Sequence, residues 1–277
     1  MTLAVVLLPD TALLVPGVAG RADPLADLRA AALAALSPSP VPSPADGPQD
    51  VLVLAPGHRD RRLDTARASF AAAGVPARLV GEHGPAGAPA PDVPASVALA
   101  LLAAAGCRAE PVVLEIGRDA SDATTLRERG RALAGTHGRD LLVLVVGSLS
   151  AREGVDAPLA VDPRADAVDA ALRHALAAGP DALAEVLDAH AALLRPGPGG
   201  LDVSGWGPWQ VLLGLLAAHP AAGPDPRARV LASSTGTALG SHTVAVWDLA
   251  AAGGPARPDR PAEPVGSAPS ARPEESR

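Results

Sequence analysis

The side chains able to do chemistry are few, and most stand just after an apolar run. Asp10 follows Leu3–Leu8, a run that Pro9 closes. A carboxylate there is placed to ligate a metal or act as a base; a turn or capping carboxylate is the plainer alternative. His58 ends the run Val51-Leu-Val-Leu-Ala-Pro-Gly-His58. An imidazole can ligate a metal or carry protons near neutral pH, although Arg59, Asp60, Arg61 and Arg62 beside it also suit a solvated loop. Gly147-Ser148-Leu149-Ser150 closes a later run, and small residues there let backbone approach a ligand closely. With Leu149 and Arg152 where they stand, it is not the G-x-S-x-G elbow of a serine nucleophile. Trp206 and Trp209 flank Gly207-Pro208 at a helix start. They suit pocket walls or, more simply, bulky anchors in an alanine-rich core. Asp119 also follows an apolar run.

Other chemistries are closed off. All 23 basic residues are Arg, so no G-x-x-x-x-G-K-[ST] phosphate loop can exist. The single Cys107 rules out an intramolecular disulfide framework and any cysteine-cluster metal site. His137, His174, His190 and His219 lie within or at the ends of helical segments and read as surface or capping residues. No H-x-x-x-H or H-E-x-x-H spacing occurs.

The chain has 277 residues and a net charge of −7. An apolar fraction of 48% supports a sizeable core, whereas aromatics make up only 1%. A net acidic chain with so few aromatics lacks both the basic footprint and the stacking platforms of a nucleic-acid binder. The absence of Lys, Asn and Tyr points to a GC-rich genome. An alanine-rich core offers little volume per side chain, so its helices must approach closely. Met1–Leu8 lacks the basic start of a signal peptide, and no stretch approaches ~18 uninterrupted apolar residues. The expectation is a cytoplasmic protein with no membrane partner.

Elements follow from pattern. Leu3–Leu8, Val51–Ala55, Pro111–Ile116 and Asp140–Val146 read as buried strands. Arg229–Ser233 and Thr243–Asp248 read as closing strands, and Ala77–Val80 as a short one. Helices are expected at Asp23–Leu36 with Asp23 as cap, at Leu63–Ala73 stopped by Gly74, and at Ala95–Ala105. More follow at Ala123–Ala134, Asp162–Ala178, Pro180–Leu194 and Trp206–Ala218. Residues 37–49 form a proline-rich loop, and 251–277 a disordered proline-rich tail. Continuous apolar strands alternating with helices predict an α/β domain over residues 1–250, with a mainly parallel central sheet flanked by helices. Ligands in such folds sit at the carboxyl ends of the strands.

Five segments in order resemble the class III extradiol ring-cleavage dioxygenases of the LigB type, closest to a small bacterial branch that includes the Memo-like proteins. They are Leu8-Pro9-Asp10-Thr-Ala-Leu-Leu-Val-Pro16, Val51–His58, Asp140–Ser150, Asp162–Asp169 and Ser204-Gly-Trp-Gly-Pro-Trp-Gln-Val-Leu-Leu213. The resemblance implies a LigB/Memo-like single domain. It also implies Fe(II) or another divalent metal, held by two His and an acidic residue, or by two His and a Cys in the Memo-like branch. Two imidazoles and one anion hold the metal on one face and leave positions open for catechol and O₂.

Carried over by position, the first His is Asp10 and the second is His58. The Memo-like Cys position is Ser204. The acid/base position falls near Ala151 and Arg152. His242, just before the last strand, is a further candidate ligand, and Ser148, Ser150 and Trp206 are candidate pocket residues. This set departs from the family's metal face. The expectation is a kept fold with ring cleavage lost, the old cleft binding a small molecule or a partner, with or without a metal. The alternatives are a working Fe(II) dioxygenase using Asp10 and His58, and a scaffold role for the Pro-x-x-Pro repeats between Pro255 and Pro264. Such relatives are often oligomeric, so the resemblance admits a homo-oligomer, although no interface can be read from the sequence.

Overall fold

The computed structural model describes residues 3–21, 23–37, 50–81, 83–118, 122–136, 140–223, 226–237 and 240–249. Residues 38–49 of the expected 37–49 loop, the tail at 251–277, Asp119 and His137 lie outside them.

Four strands form the parallel centre of one sheet. They are β1 (Leu3–Leu8), β2 (Asp50–Gly57), β4 (Val112–Gly117) and β5 (Leu141–Val146). A short β3 (Arg61–Leu63) runs antiparallel to β4 at one edge. At the other, the hairpin β6 (Arg227–Thr237) and β7 (Gly240–Asp248) is added with β7 antiparallel to β1. The sheet order is β3-β4-β2-β5-β1-β7-β6.

The central strands read as largely apolar runs because both faces are covered; Glu115 in β4 is the buried exception. Leu3, Val5, Leu7, Leu52, Leu54 and Val143 point to one face. Helices α4 (Ala123–Leu133), α5 (Ala165–Ala178), α6 (Pro180–Ala189), α7 (Ala191–Leu194) and α8 (Trp206–Ala218) supply side chains to that core. Val6, Leu8, Val51, Val53, Leu144 and Val146 point to the other face, toward α1 (Ala26–Leu36) and α3 (Val93–Ala104). The result is a single α/β domain with a mixed seven-stranded sheet, parallel at its centre.

Close helix approach is visible at α4 and α8. A methyl group on Gly130 would lie 2.0 Å from the Val211 carbonyl oxygen, and one on Gly214 would lie 1.9 Å from that of Arg127. The two backbones touch because neither position carries a side chain.

Three expected elements differ. Residues 63–73 are not a helix: their amide hydrogens go to distant partners, Arg67 to Pro89 O, Ala68 to His83 O and Ser69 to Ser96 Oγ. Only Ala71–Ala73 turns, as a 3-10 segment ended by Gly74 at φ 69°. Ala77–Val80 forms a helical turn, α2, rather than a strand; its side chains are mostly exposed, and no sheet edge accepts it. Asp23 does not cap α1, whose N-cap is Leu25. Its carboxylate instead pairs with Arg29, whose guanidinium also donates to the carbonyls of Leu13 and Leu14.

Among the described residues, no helix is long and apolar enough to cross a membrane.

Candidate functional site

Strand β1 feeds a helix on one face of the sheet, and its neighbour β5 feeds α5 on the other. Adjacent strands whose connections leave in opposite directions open a crevice at their carboxyl ends. A cavity of about 590 Å³ occupies that place. Asp10 enters it after β1, Ile116 from the end of β4, Ser148 after β5 and His242 from the start of β7. Trp206 and Gly207, in the first turn of α8, close one side.

Three of these side chains are linked by hydrogen bonds. Ser148 Oγ donates to Asp10 Oδ1 at 2.5 Å and lies 3.0 Å from His242 Nδ1. The Asp10 amide also reaches Ser148 Oγ, at 3.3 Å. Ser148 and His242 are buried, and Asp10 is half-buried. His242 arrives here because β7 runs antiparallel to β1, which puts the first residues of β7 beside the last of β1.

Ser204 joins the same wall: its Oγ accepts the Ser148 amide at 2.8 Å. The approach of its loop to β5 needs two glycines. A methyl group on Gly147 would lie 2.3 Å from Gly205 Cα, and one on Gly205 would strike the Trp209 ring at 2.3 Å. Trp209 is thus a core anchor, whereas Trp206 is both buried and a cavity wall, with Arg195 stacked over its ring at 5.1 Å.

Ala151 and Arg152 line the cavity as well. The Arg152 guanidinium is held by Asp202 and by the carbonyl of Ala160, each at 3.1 Å.

His58 goes elsewhere. Its ring is 87% exposed, is not among the cavity-lining residues, and pairs through Nδ1 with Asp92 at 2.8 Å. Asp92 belongs to a separate network. Burial works against its charge, but the His58 amide and ring and the Arg61 guanidinium hold its carboxyl below the usual range. Arg61 also pairs with Glu115, which is fully buried on β4 and takes the Asp92 amide.

The resemblance to metal dioxygenases can therefore be tested on the donors present. Among the described residues, no group of three or more His, Cys, Asp and Glu side chains is placed to hold a metal ion. Asp10 is engaged by Ser148 and His58 by Asp92, so the face of two imidazoles and one carboxylate is not assembled. The residues present do not fit the Fe(II) group.

Asp169 is a functional candidate that strand-end position does not reveal. It lies on α5, fully buried behind the cavity, and its carboxylate accepts the Ser150 amide at 3.0 Å. Burial and the neighbouring Glu153 carboxylate push it up to about 7, against the Ser150 hydrogen bond and Arg173. Glu153 in turn accepts the hydroxyl of Ser241 and faces Arg173 at 3.4 Å. A sequence signal does exist: Asp169 falls one turn from Ala165 and Leu172 on the buried stripe of α5. His219, expected as a surface or capping residue, is a buried cap at the end of α8 whose Nδ1 accepts the Ala221 amide.

No family model matches the sequence, and no curated protein does. Among solved structures, the chain is similar to an uncharacterized protein of Escherichia coli K12, at 14% identity and a TM-score of 0.47 over 88% of this chain and 98% of that one.

Proposed function

We propose that this chain is a class III extradiol dioxygenase-like protein that binds a small organic molecule in the strand-end cavity and does not cleave aromatic rings. One observation carries the reading. The position expected to offer a metal-binding carboxylate, Asp10, is tied into a network with Ser148 and His242, while His58 stands outside the cavity on Asp92. Ring cleavage by this class needs a metal with open positions on a facial triad. A volume of about 590 Å³ falls within the range of small-molecule pockets. Ser148, Ser150 and Ser204 line it together with Ile116 and Trp206, a mixed polar and apolar wall that suits a ligand with a polar end and an apolar body. The cytoplasm is the compartment this reading assumes, and the free thiol of Cys107 fits it.

Metal content tests it. Protein reconstituted anaerobically with Fe(II), then desalted, is expected to hold far less than one metal per chain and to leave catechols intact. About one iron per chain, lost in Asp10→Ala or His58→Ala and accompanied by ring opening, would overturn it.

A further inference from the structure

We infer that Ser148 is a nucleophile activated by His242, and that the cavity hydrolyses small carboxylic esters. The inference rests on the reading that this cavity takes small organic molecules, and goes beyond it by assigning a reaction.

Ser148 Oγ lies within hydrogen-bond reach of an imidazole nitrogen, His242 Nδ1 at 3.0 Å. A hydroxyl beside a general base is the defining relationship of a serine nucleophile, recognised by geometry rather than by residue order. Asp10 stands on the serine rather than on the imidazole: its carboxylate accepts from the Ser148 oxygen that also faces His242, so its negative charge is one hydroxyl away from the imidazole that must become positive. In the resting protein the single Ser148 hydroxyl proton is directed at Asp10, so the 3.0 Å contact with His242 is one in which Nδ1–H donates to Oγ. The inference therefore requires the Nε2-protonated tautomer of His242, whose Nδ1 accepts the proton once an entering acyl group turns the hydroxyl away from Asp10.

The chemistry balances with water as the only co-reactant. Ser148 Oγ attacks the ester carbonyl carbon while its proton passes to His242 Nδ1, and the Asp10 carboxylate offsets the imidazolium. The bond to the leaving oxygen breaks, and that oxygen takes the proton from Nδ1 and departs as an alcohol. Water then gives a proton to Nδ1 and attacks the acyl carbon; the bond to Oγ breaks, Oγ regains the proton, and a carboxylic acid leaves. Negative charge on the carbonyl oxygen develops in a cavity that the first turn of α8 also lines, with the positive end of a 13-residue helix dipole. The size of the cavity and the apolar contribution of Ile116 and Trp206 favour short acyl groups on an apolar leaving group.

The full-length protein is treated with a fluorophosphonate, and the adduct is located by peptide mass spectrometry; p-nitrophenyl acetate turnover is followed in parallel. One adduct on Ser148 is expected, absent in Ser148→Ala. His242→Gln keeps the serine and is expected to slow both labelling and turnover by about 100-fold. His58→Ala, outside the cavity, is expected to behave as wild type. Tryptophan fluorescence checks that each variant is folded and also reports binding of 4-nitrophenol. No adduct on wild type, an adduct elsewhere, or equal labelling of His242→Gln overturns the nucleophile. If 4-nitrophenol still binds in that case, the small-molecule reading stands without it; if it does not bind, that reading falls as well.

Discussion

Ser148 and Asp10 are 138 residues apart in the chain, yet the hydroxyl of the first lies against one carboxylate oxygen of the second across the ends of adjacent strands β5 and β1. The bond ties the two strands at the point where their connections diverge. Replacing Ser148 by Ala removes a partner from two buried or half-buried groups at once. The expected cost is about 1–3 kcal/mol. Urea unfolding of Ser148→Ala, Asp10→Asn and the double variant measures it, and the double variant is expected to cost less than the sum of the singles.

The contact of α4 with α8 reverses the usual effect of glycine in a helix. In an exposed helix, Gly→Ala gains close to 1 kcal/mol. At Gly130 and Gly214 the added methyl groups would meet backbone oxygens at 2.0 and 1.9 Å. Gly130→Ala and Gly214→Ala are each expected to destabilise the fold by about 1–3 kcal/mol or more. Thermal unfolding decides the sign.

Asp169 makes stability depend on pH. Its folded value of about 7 stands above the unfolded 3.8, so between these values the folded chain holds a proton that the unfolded chain has lost. Its contribution is full below about pH 4 and is lost as the pH rises through 7. Asp169→Asn is expected to remove that slope, worth on the order of 4 kcal/mol across the window. Unfolding free energies at several pH values, for both proteins, give the comparison.

His58→Ala is expected to change stability by less than about 1 kcal/mol, because the ring is 87% exposed and its pair with Asp92 is open to solvent. A larger loss, read by denaturant unfolding, would give His58 a structural weight that its exposure does not.

The parts of this architecture readable from sequence are those with a local cause. Strands β1, β2, β4 and β5 lie between two helical layers, so burial on both faces writes them as largely apolar runs, with Glu115 as the one buried charge in β4. Strand β3 is Arg61-Arg62-Leu63, three residues at an edge, and carries no such pattern. Asp10 and Ser148 are marked by standing after strands. Their partnership with His242 is not legible, because it depends on the antiparallel setting of β7 beside β1. His58 looks like a site residue for the same positional reason as Asp10. What separates them is Asp92, at the start of α3, which captures the His58 ring.

The cavity draws its walls from the ends of four strands, the start of β7 and the first turn of α8. An unfolded chain holds no fragment of it, so whatever fits inside binds only the folded form. Occupancy must then raise the melting temperature, by a stabilisation of roughly 2.7 kcal/mol when the compound is present at about 100 times its Kd. The fold is in this sense its own detector: a melting-curve screen of unrelated metabolites would rank candidate occupants before any reaction is assayed.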